Sequence, residues 1–298
     1  MLKPVPSISI VTPSYNQGEF LEATIQSVLS QNYPNLEYII IDGGSTDDSV
    51  EIIRKYEKQL HFWCSEPDGG QYAAINKGFS YATGEIMAWL NSDDMYFPWT
   101  LKTVGSIMAE LSQVEWLTTF NIGFWDWHGF CTDIGKIPGY SREAFLNGRY
   151  LRSGRTAINW IQQESTFWRR GLWEKVGGYI STEFKLASDF DLWARFYGCA
   201  DLHGTPSPLG VFRWQTSQRS RQIEQYILEA QQSLERMRTE LNWKPNLSRE
   251  LAFQLRLNLI PKVKTLSLPI YGYQGKRVVR KALDTPDGYW TVEDHQFA

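Results

Sequence analysis

The sequence predicts an α/β fold built on an open, mostly parallel sheet, and three observations carry that expectation. Short apolar, β-branched runs alternate with amphipathic stretches through residues 1–120. The most apolar run, Tyr38–Ile41, is continuous rather than alternating, as in a parallel strand covered on both faces. Each run ends in a polar, turn-forming segment, and in such sheets these segments gather along the edge where ligands bind.

The elements follow in order. Ile8–Val11 reads as a strand closed by Thr12-Pro13-Ser14, and Leu21, Ile25, Val28 and Leu29 then mark one face of a helix. Tyr38–Ile41 is a strand that stops at Asp42-Gly43-Gly44-Ser45-Thr46-Asp47-Asp48, a segment able to cap a helix over Ser49–Tyr56. A strand at His61–Cys64, a helix at Tyr72–Tyr81 and a strand at Glu85–Leu90 come next, then a helix at Thr100–Leu111 and a strand at Trp116–Phe120. Right-handed crossovers are expected between the parallel strands. Residues 121–160 are rich in Gly, Trp and Phe with weak periodicity, which predicts an irregular or antiparallel region. Order resumes at Gln163–Trp168 and Trp173–Tyr179, and Ser188–Phe196 reads as a helix with Leu192, Trp193 and Phe196 on its apolar side. A long polar helix is predicted from Ser217 to Leu241. Lys244 to Lys281 then holds nine basic residues and one acidic residue, Glu250.

Composition narrows the function classes. The 298 residues are ample for a buried core. Thirty Lys and Arg against 33 Asp and Glu leave a net charge of −3, which argues against a whole-chain grip on nucleic acid. Cys64, Cys131 and Cys199 are too widely spaced for a disulfide framework or a zinc site and suit a reducing compartment. Met1–Ser7 lacks an apolar leader, and no apolar run approaches the roughly 18–20 residues of a membrane-spanning helix, so a cytoplasmic location is expected. Thirteen tryptophans offer flat faces for sugar stacking, although packing is the expected role of most.

Four polar segments fall at strand ends: Thr12–Gln17, Asp42–Asp48, Glu66–Gln71 and Asn91–Asp94. Carboxylates in Asn91-Ser92-Asp93-Asp94 are hard oxygen ligands suited to Mg2+ or Mn2+ bridging a diphosphate, or else simple helix caps. Asp42 is placed either to accept the imide N–H of a uracil or to cap its own turn. Gly43-Gly44 and Gly69-Gly70 spell neither a G-x-G-x-x-G fingerprint nor a P-loop.

Taken together, Ile8–Asn16, Gln26–Gln31, Ile40–Asp47 and Trp89–Asp94 resemble, in order and spacing, the family 2 glycosyltransferases of the GT-A fold. The resemblance covers about residues 6–215 and implies inverting transfer of a sugar from a nucleotide diphosphate donor. It places Thr12, Pro13 and Tyr15 along the base, Asp42 as the base-reading carboxylate, and Asp68, Gln71 and Asn76 near ribose and diphosphate. Asn91-Ser92-Asp93 stands where the family has D-x-D, with Asp93 the retained ligand of a divalent metal, Mn2+ or Mg2+, Asn91 replacing the first Asp, and Ser92 beside the nucleotide. Gln162–Arg170 is similar to the acceptor-side segment, which makes Gln163, Glu164 and Trp168 acceptor-side residues. Ser188-Asp189-Phe190-Asp191-Leu192-Trp193 is similar to E-D-x-D-L-W, which assigns the general base to Asp189 and a structural role to Asp191. Arg213 is the implied diphosphate partner, and Gln215 occupies a place where a His often follows that Arg.

The resemblance thus implies a GT-A domain over 1–215, with a nucleotide-binding half (1–120) and an acceptor-side half (121–215), and a helical, basic extension over 216–298. The expected partners are a UDP-sugar and a carbohydrate or lipid-linked carbohydrate acceptor, without nucleic acid. The basic stretch is a potential peripheral contact with the inner face of an anionic membrane. The product is expected to be a polysaccharide or other glycan. Two alternatives remain. One is a non-catalytic nucleotide- or sugar-binding module, because Asn91, Ser188 and Gln215 depart from common family residues. The other is a sugar nucleotidyltransferase, which would want a Gly-rich, Arg-containing loop after the first strand, where this chain has Thr12–Asn16.

Overall fold

The apolar runs and helical faces of the sequence become twenty-two strands and α-helices among the described residues. The structure is a computed structural model that describes residues 4–151, 157–215, 218, 222–255, 272–284, 286 and 288–297. In chain order the elements are β1 (Ile8–Ser14), α1 (Gly18–Leu29), β2 (Leu36–Asp42), α2 (Ser49–Tyr56), β3 (Phe62–Ser65), α3 (Gln71–Tyr81), β4 (Ile86–Trp89), β5 (Met95–Tyr96), α4 (Thr100–Glu110) and β6 (Trp116–Thr119). They continue with β7 (Asn121–Trp125), β8 (Cys131–Lys136), α5 (Arg142–Leu146), β9 (Phe167–Arg169), α6 (Arg170–Lys175), α7 (Ser188–Cys199), β10 (Leu202–Thr205) and β11 (Gly210–Arg213). The last four are α8 (Ile223–Glu240), α9 (Leu247–Gln254), β12 (Tyr273–Lys281) and β13 (Tyr289–Phe297).

Nine strands form the central sheet in the order β13-β12-β10-β6-β9-β4-β1-β2-β3. The chain lays down β1, β2 and β3 outward in parallel and then returns to place β4 on the other flank of β1. That reversal is a switch point, and the loops after β1 and β4 diverge there to leave a crevice. Strand β9 enters antiparallel between β4 and β6. A smaller sheet, β5-β11-β7-β8, stands beside the crevice, with β7 and β8 antiparallel as weak periodicity in this region suggested.

The core follows from the pattern of strand burial. Ile8, Ile10, Val11 and Ile39 to Ile41 are fully buried, with helices on both sides of β1 and β2. Between α7, which carries Trp193, and the sheet, Trp89, Trp116, Trp168 and Trp193 are almost entirely enclosed, and their ring centroids lie 5.6–6.0 Å apart in offset-stacked or edge-on pairs. Packing therefore accounts for these four tryptophans.

The C-terminal segment differs from the helical extension that the sequence predicts. After α8 and α9, β12 and β13 form an antiparallel hairpin, and β12 pairs in parallel with β10 at the edge of the central sheet. The cause is long-range. Tyr273, Gly275 and Val278 face inward on β12 and become buried only once β10 and β13 lie against them.

Candidate active site

Two loops at the switch point are stitched to each other before any ligand is considered. The Asn16 backbone N–H donates to Ser45 Oγ at 2.8 Å, the Thr46 N–H donates to Asn16 Oδ1 at 2.8 Å, and the Gly18 N–H donates to Asp47 Oδ2 at 2.9 Å. Gly44 has φ +82°, a backbone that side chains resist, and a Cβ on Gly43 would lie 3.2 Å from Asp68 Oδ2 and 3.3 Å from Tyr15 Cδ2. The two glycines thus let Tyr15 and Asp68 close over the end of β2.

Beyond these strand ends lies a cavity of about 610 Å3. Pro13, Tyr15, Asp68, Gln71, Asn91, Ser92 and Asp93 are brought together along its wall. Gln17 and Asp94, from the strand-end segments already noted, and Gln215 line it as well, and Phe212 and Gln218 line it without having been foreseen. Asp68 is held by the Gly70 N–H, 2.6 Å from its Oδ1, and Gln71 Nε2 donates to Asn91 Oδ1 at 2.7 Å. Asn91 in turn donates to Asp94 Oδ2 at 3.1 Å and to Gln163 Oε1 at 3.2 Å.

The acidic pair at this floor is desolvated. Burial raises the Asp93 carboxyl above the ordinary range, against the pull of the Gln215 amide and the Arg213 charge. Asp94, 1% exposed, is raised further by burial, then by the Asp93 and Glu164 charges. Among the described residues no three acidic, His or Cys side chains converge as a complete metal cage. The donors present nevertheless fit a divalent cation shared with a diphosphate. Asp93 is a carboxylate whose desolvation a cation would relieve, and the amides of Gln215 and Asn91 each carry an oxygen. Mg2+ commonly takes only one or two protein carboxylates, the rest of its shell being phosphate oxygen and water.

A second cavity, of about 150 Å3, adjoins the first and shares Gln71, Asn91 and Phe212 with it. Asp189, Glu164, Gln163, Tyr72, Trp160 and Tyr226 line it. Asp189 lies in the first turn of α7, where the helix dipole favours negative charge. The approach to that turn is fixed by Glu229 of α8, whose Oε2 accepts the Leu186 N–H at 2.7 Å and the Ala187 N–H at 3.0 Å. Tyr72 Oη donates to the Leu186 carbonyl at 2.7 Å. Glu229 and Tyr226 come from a helix that the sequence showed only as long and polar, so nothing tied it to the site. Asp191 turns away and pairs with Arg195 at 3.0 Å and Ser233 Oγ at 3.0 Å, the structural role the resemblance implied.

Five implied contacts are placed elsewhere. Asp42 is fully buried behind the cavity wall: its Oδ2 accepts Gly44 N–H, Ser45 N–H and Ser65 Oγ, and its Oδ1 accepts Ser45 Oγ at 2.5 Å. The carboxylate organises its own turn, one of the two readings left open. Thr12 is buried against Tyr38 Oη at 3.1 Å. Asn76 clamps the Ile180 backbone through both its amide groups, at 2.7 and 2.8 Å. Arg213 is 5% exposed, with its guanidinium 5.2 Å from the Phe20 ring and beside Met95, and burial lowers its pKa. Trp168 is fully enclosed because β9 runs through the middle of the sheet, which puts this side chain under α7 rather than toward an acceptor.

Four basic residues of this stretch are ion-paired where it is described. Lys276 pairs with Asp294 at 2.6 Å, Lys281 with Glu293, Arg249 with Glu143, and Arg280 with Glu110 at 3.9 Å. Arg256, Lys262 and Lys264 lie outside the described residues. No described helix is long and apolar enough to cross a membrane.

A crevice at the switch point of a mostly parallel sheet, floored by a strand-end Asn-Ser-Asp and joined to a cavity bearing a helix-borne aspartate, is the architecture of the GT-A fold. The sequence profile of "Glycosyl transferase family 2" matches residues 9–124, and this segment of the chain carries that family's pattern. An uncharacterized glycosyltransferase of Mycobacterium tuberculosis strain CDC 1551 is 32% identical over 186 residues, 62% of this chain and 66% of that protein. TuaG of Bacillus subtilis strain 168, named as a teichuronic acid biosynthesis glycosyltransferase, is 40% identical over 94 residues, 30% of this chain and 37% of its own length. The chain thus spans just under two thirds of the mycobacterial relative and a smaller share of TuaG. Among solved structures, S. aureus TarS 1–349 in complex with UDP-GlcNAc superposes with a TM-score of 0.61 at 17% identity, over 89% of this chain and 76% of that one. The mannosyltransferase PcManGT from Pyrobaculum calidifontis, in complex with GDP-Man and Mn2+, gives 0.52 at 16% identity, over 89% of this chain and 84% of that one. These likenesses establish the GT-A fold.

Proposed function

We propose that the chain is an inverting glycosyltransferase that moves a sugar from a UDP-sugar to a hydroxyl of a glycan acceptor. The observation that carries this reading is the junction of the two cavities through Gln71, Asn91 and Phe212. A donor diphosphate above Asp93 leaves its sugar at that junction, and an acceptor hydroxyl reaches it from the side of Asp189. Attack opposite the leaving group inverts the anomeric centre, and one carboxylate suffices as base. Asp189 takes the hydroxyl proton as the new bond forms. Ser92 and Gln71 orient the donor, while Tyr15 and Asp68 cover the nucleoside. Asp93, with Gln215 or Asn91, would hold a divalent cation, which when bound supplies positive charge to the departing diphosphate. UDP is favoured over other nucleotides by analogy with TarS, whose complexes contain UDP-GlcNAc and UDP, and glycan biosynthesis by analogy with TuaG. Titration calorimetry with UDP, with and without Mn2+, tests the reading. Metal-enhanced binding is expected, and failure of UDP, GDP and dTDP alike to bind would overturn it.

A further inference from the structure

Glu164 has no part in the transfer step just described, yet it is a buried carboxyl. It lies in the 3-10 turn Gln163–Ser165 that leads into β9, and only 4% of its surface is exposed. A Cβ on Gly210 would come within 2.2 Å of the Glu164 carbonyl, and the Gly210 N–H donates to Ser165 Oγ at 2.8 Å, so β11 pins this turn directly against its backbone. Among the described residues, the one side chain hydrogen-bonded to its carboxyl is that of Gln162, whose Nε2 donates to Oε1 at 2.8 Å. Among the described residues no Lys, Arg or His forms an ion pair with it. A buried carboxyl without a counter-ion is destabilising, and such groups commonly mark a site that binds something polar. What it faces is the smaller cavity, whose wall it shares with Asp189. Burial and the nearby Asp93 and Asp189 charges push its pKa up to about 7, so near neutrality it can present either a proton donor or an acceptor. The remaining walls include Tyr72, Trp160, Phe212 and Tyr226, an aromatic lining that suits the apolar faces of a pyranose ring.

We propose that Glu164 is a positioning residue of the acceptor cavity: it binds a second hydroxyl of the acceptor sugar while Asp189 receives the attacking one. The acceptor is therefore a sugar ring offering two hydroxyls to two carboxyls, rather than a simple alcohol. This inference rests on the transferase reading. Holding the ring at two points fixes which oxygen faces the anomeric carbon, and such orientation supplies a large share of the rate in a two-substrate transfer.

The test uses the full chain loaded with UDP and Mn2+, and the methyl pyranosides of glucose, galactose, mannose and N-acetylglucosamine as probes. Saturation-transfer NMR reads their binding, and calorimetry reads UDP. At least one glycoside is expected to bind, with affinity falling about tenfold in Glu164→Ala and less in Glu164→Gln, while UDP affinity stays within about twofold. On the unaltered protein, monodeoxy versions of the bound glycoside should lose about tenfold at two ring positions. Unchanged glycoside affinity in Glu164→Ala, loss at one position or none, or UDP binding with no glycoside bound, each overturns the proposal and leaves the transferase reading standing. Failure of UDP itself is the outcome that removes the transferase reading. If a turnover assay shows Glu164→Gln abolishing kcat with the acceptor KM unchanged, Glu164 is the base and the positioning role is wrong.

Discussion

Gln215 donates from Nε2 to the Asp93 carboxylate at 2.5 Å, joining the end of β11 to the loop after β4 across 122 positions of sequence. The residue that stands where the resemblance implies a histidine is therefore in contact with the carboxylate that the resemblance implies as a metal ligand. An amide satisfies Asp93 without supplying the strong nitrogen ligand that imidazole offers a transition metal. Gln215→His should raise the enhancement of UDP binding by Mn2+ about tenfold, and Asp93→Ala should abolish that enhancement. Calorimetry across a Mn2+ series measures both, and an unaltered metal dependence in either variant would remove Asp93 from the cation site.

Asp189 lines the second cavity from the first turn of α7 and does not line the larger one. Asp189→Asn keeps size and polarity but removes the proton acceptor. Transfer should fall by about 10^2–10^4, the span general base catalysis supplies, with UDP affinity unchanged. Single-turnover transfer to an acceptor glycan measures the first and calorimetry the second. A fully active Asn variant would return the role to another carboxyl, of which Glu164 is the neighbour.

The regions that sequence made legible are those where local pattern and final structure coincide. Ile8–Ser14 and Leu36–Asp42 are buried all along because parallel strands are covered on both faces, and an uninterrupted apolar run signals that without further context. Asp93, Gln71 and Asp68 reach the cavity because a residue just past a parallel strand has little choice of side. Where burial depends on distant partners, sequence gave no warning. Trp168 looked free for an acceptor until β9 is seen inserted between β4 and β6, and the strands β12 and β13 acquire their pairing from β10, some seventy residues earlier. Tyr226 and Glu229 belong to the site only through the packing of α8 against α7.

For Asp42 the hydrogen bonds decide between two readings of the same residue. Four donors, all from Gly44, Ser45 and Ser65, occupy its oxygens, and the turn they organise carries Gly43 at the cavity wall. Asp42→Ala should therefore destabilise the protein by about 2–4 kcal/mol, through unsatisfied buried donors, and weaken UDP and CDP binding in parallel. Chemical denaturation and competition between the two nucleotides check this. A selective loss of UDP with stability intact would reinstate Asp42 as the reader of the base.

Glu164 makes stability depend on pH with a definite sign. Burial first, then the Asp93 and Asp189 charges, raise its pKa to about 7, whereas the unfolded chain titrates near 4.3. Between those values the folded state holds a proton that the unfolded state has released, so this group lowers stability as pH climbs through the window and adds nothing further above it. Glu164→Gln has no proton to lose. Its stability relative to the unaltered protein should rise by an amount on the order of 1–3 kcal/mol from pH 5 to 7.5 and then level off. Urea midpoints at pH 5, 6, 7 and 8 follow the trend, and a flat difference would mean that Glu164 titrates as an ordinary surface carboxyl.

The C-terminal hairpin tests whether residues 216–298 stand apart from the rest. Phe297, 4% exposed, packs so closely on Gly139 that a Cβ there would lie 2.1 Å from its ring, and its ring centroid is 5.7 Å from that of Tyr273. Tyr273 Oη accepts from Arg149 Nε at 2.9 Å and from Asn147 Nδ2 at 2.8 Å, which fastens the loop after α5 to β12. Removing the hairpin would expose the edge of β10 and leave Arg149 with Glu250 as its ion-pair partner in the partly opened interior. Phe297→Ala should cost about 3–5 kcal/mol, as expected for emptying an enclosed aromatic site, whereas Leu283→Ala, at a residue 79% exposed, should stay within about 0.5 kcal/mol. A chain ending at residue 215 should aggregate or unfold rather than bind UDP. If that truncated chain proves soluble and binds the nucleotide with full affinity, the boundary at 215 is a true domain boundary and the hairpin is an ornament on the sheet.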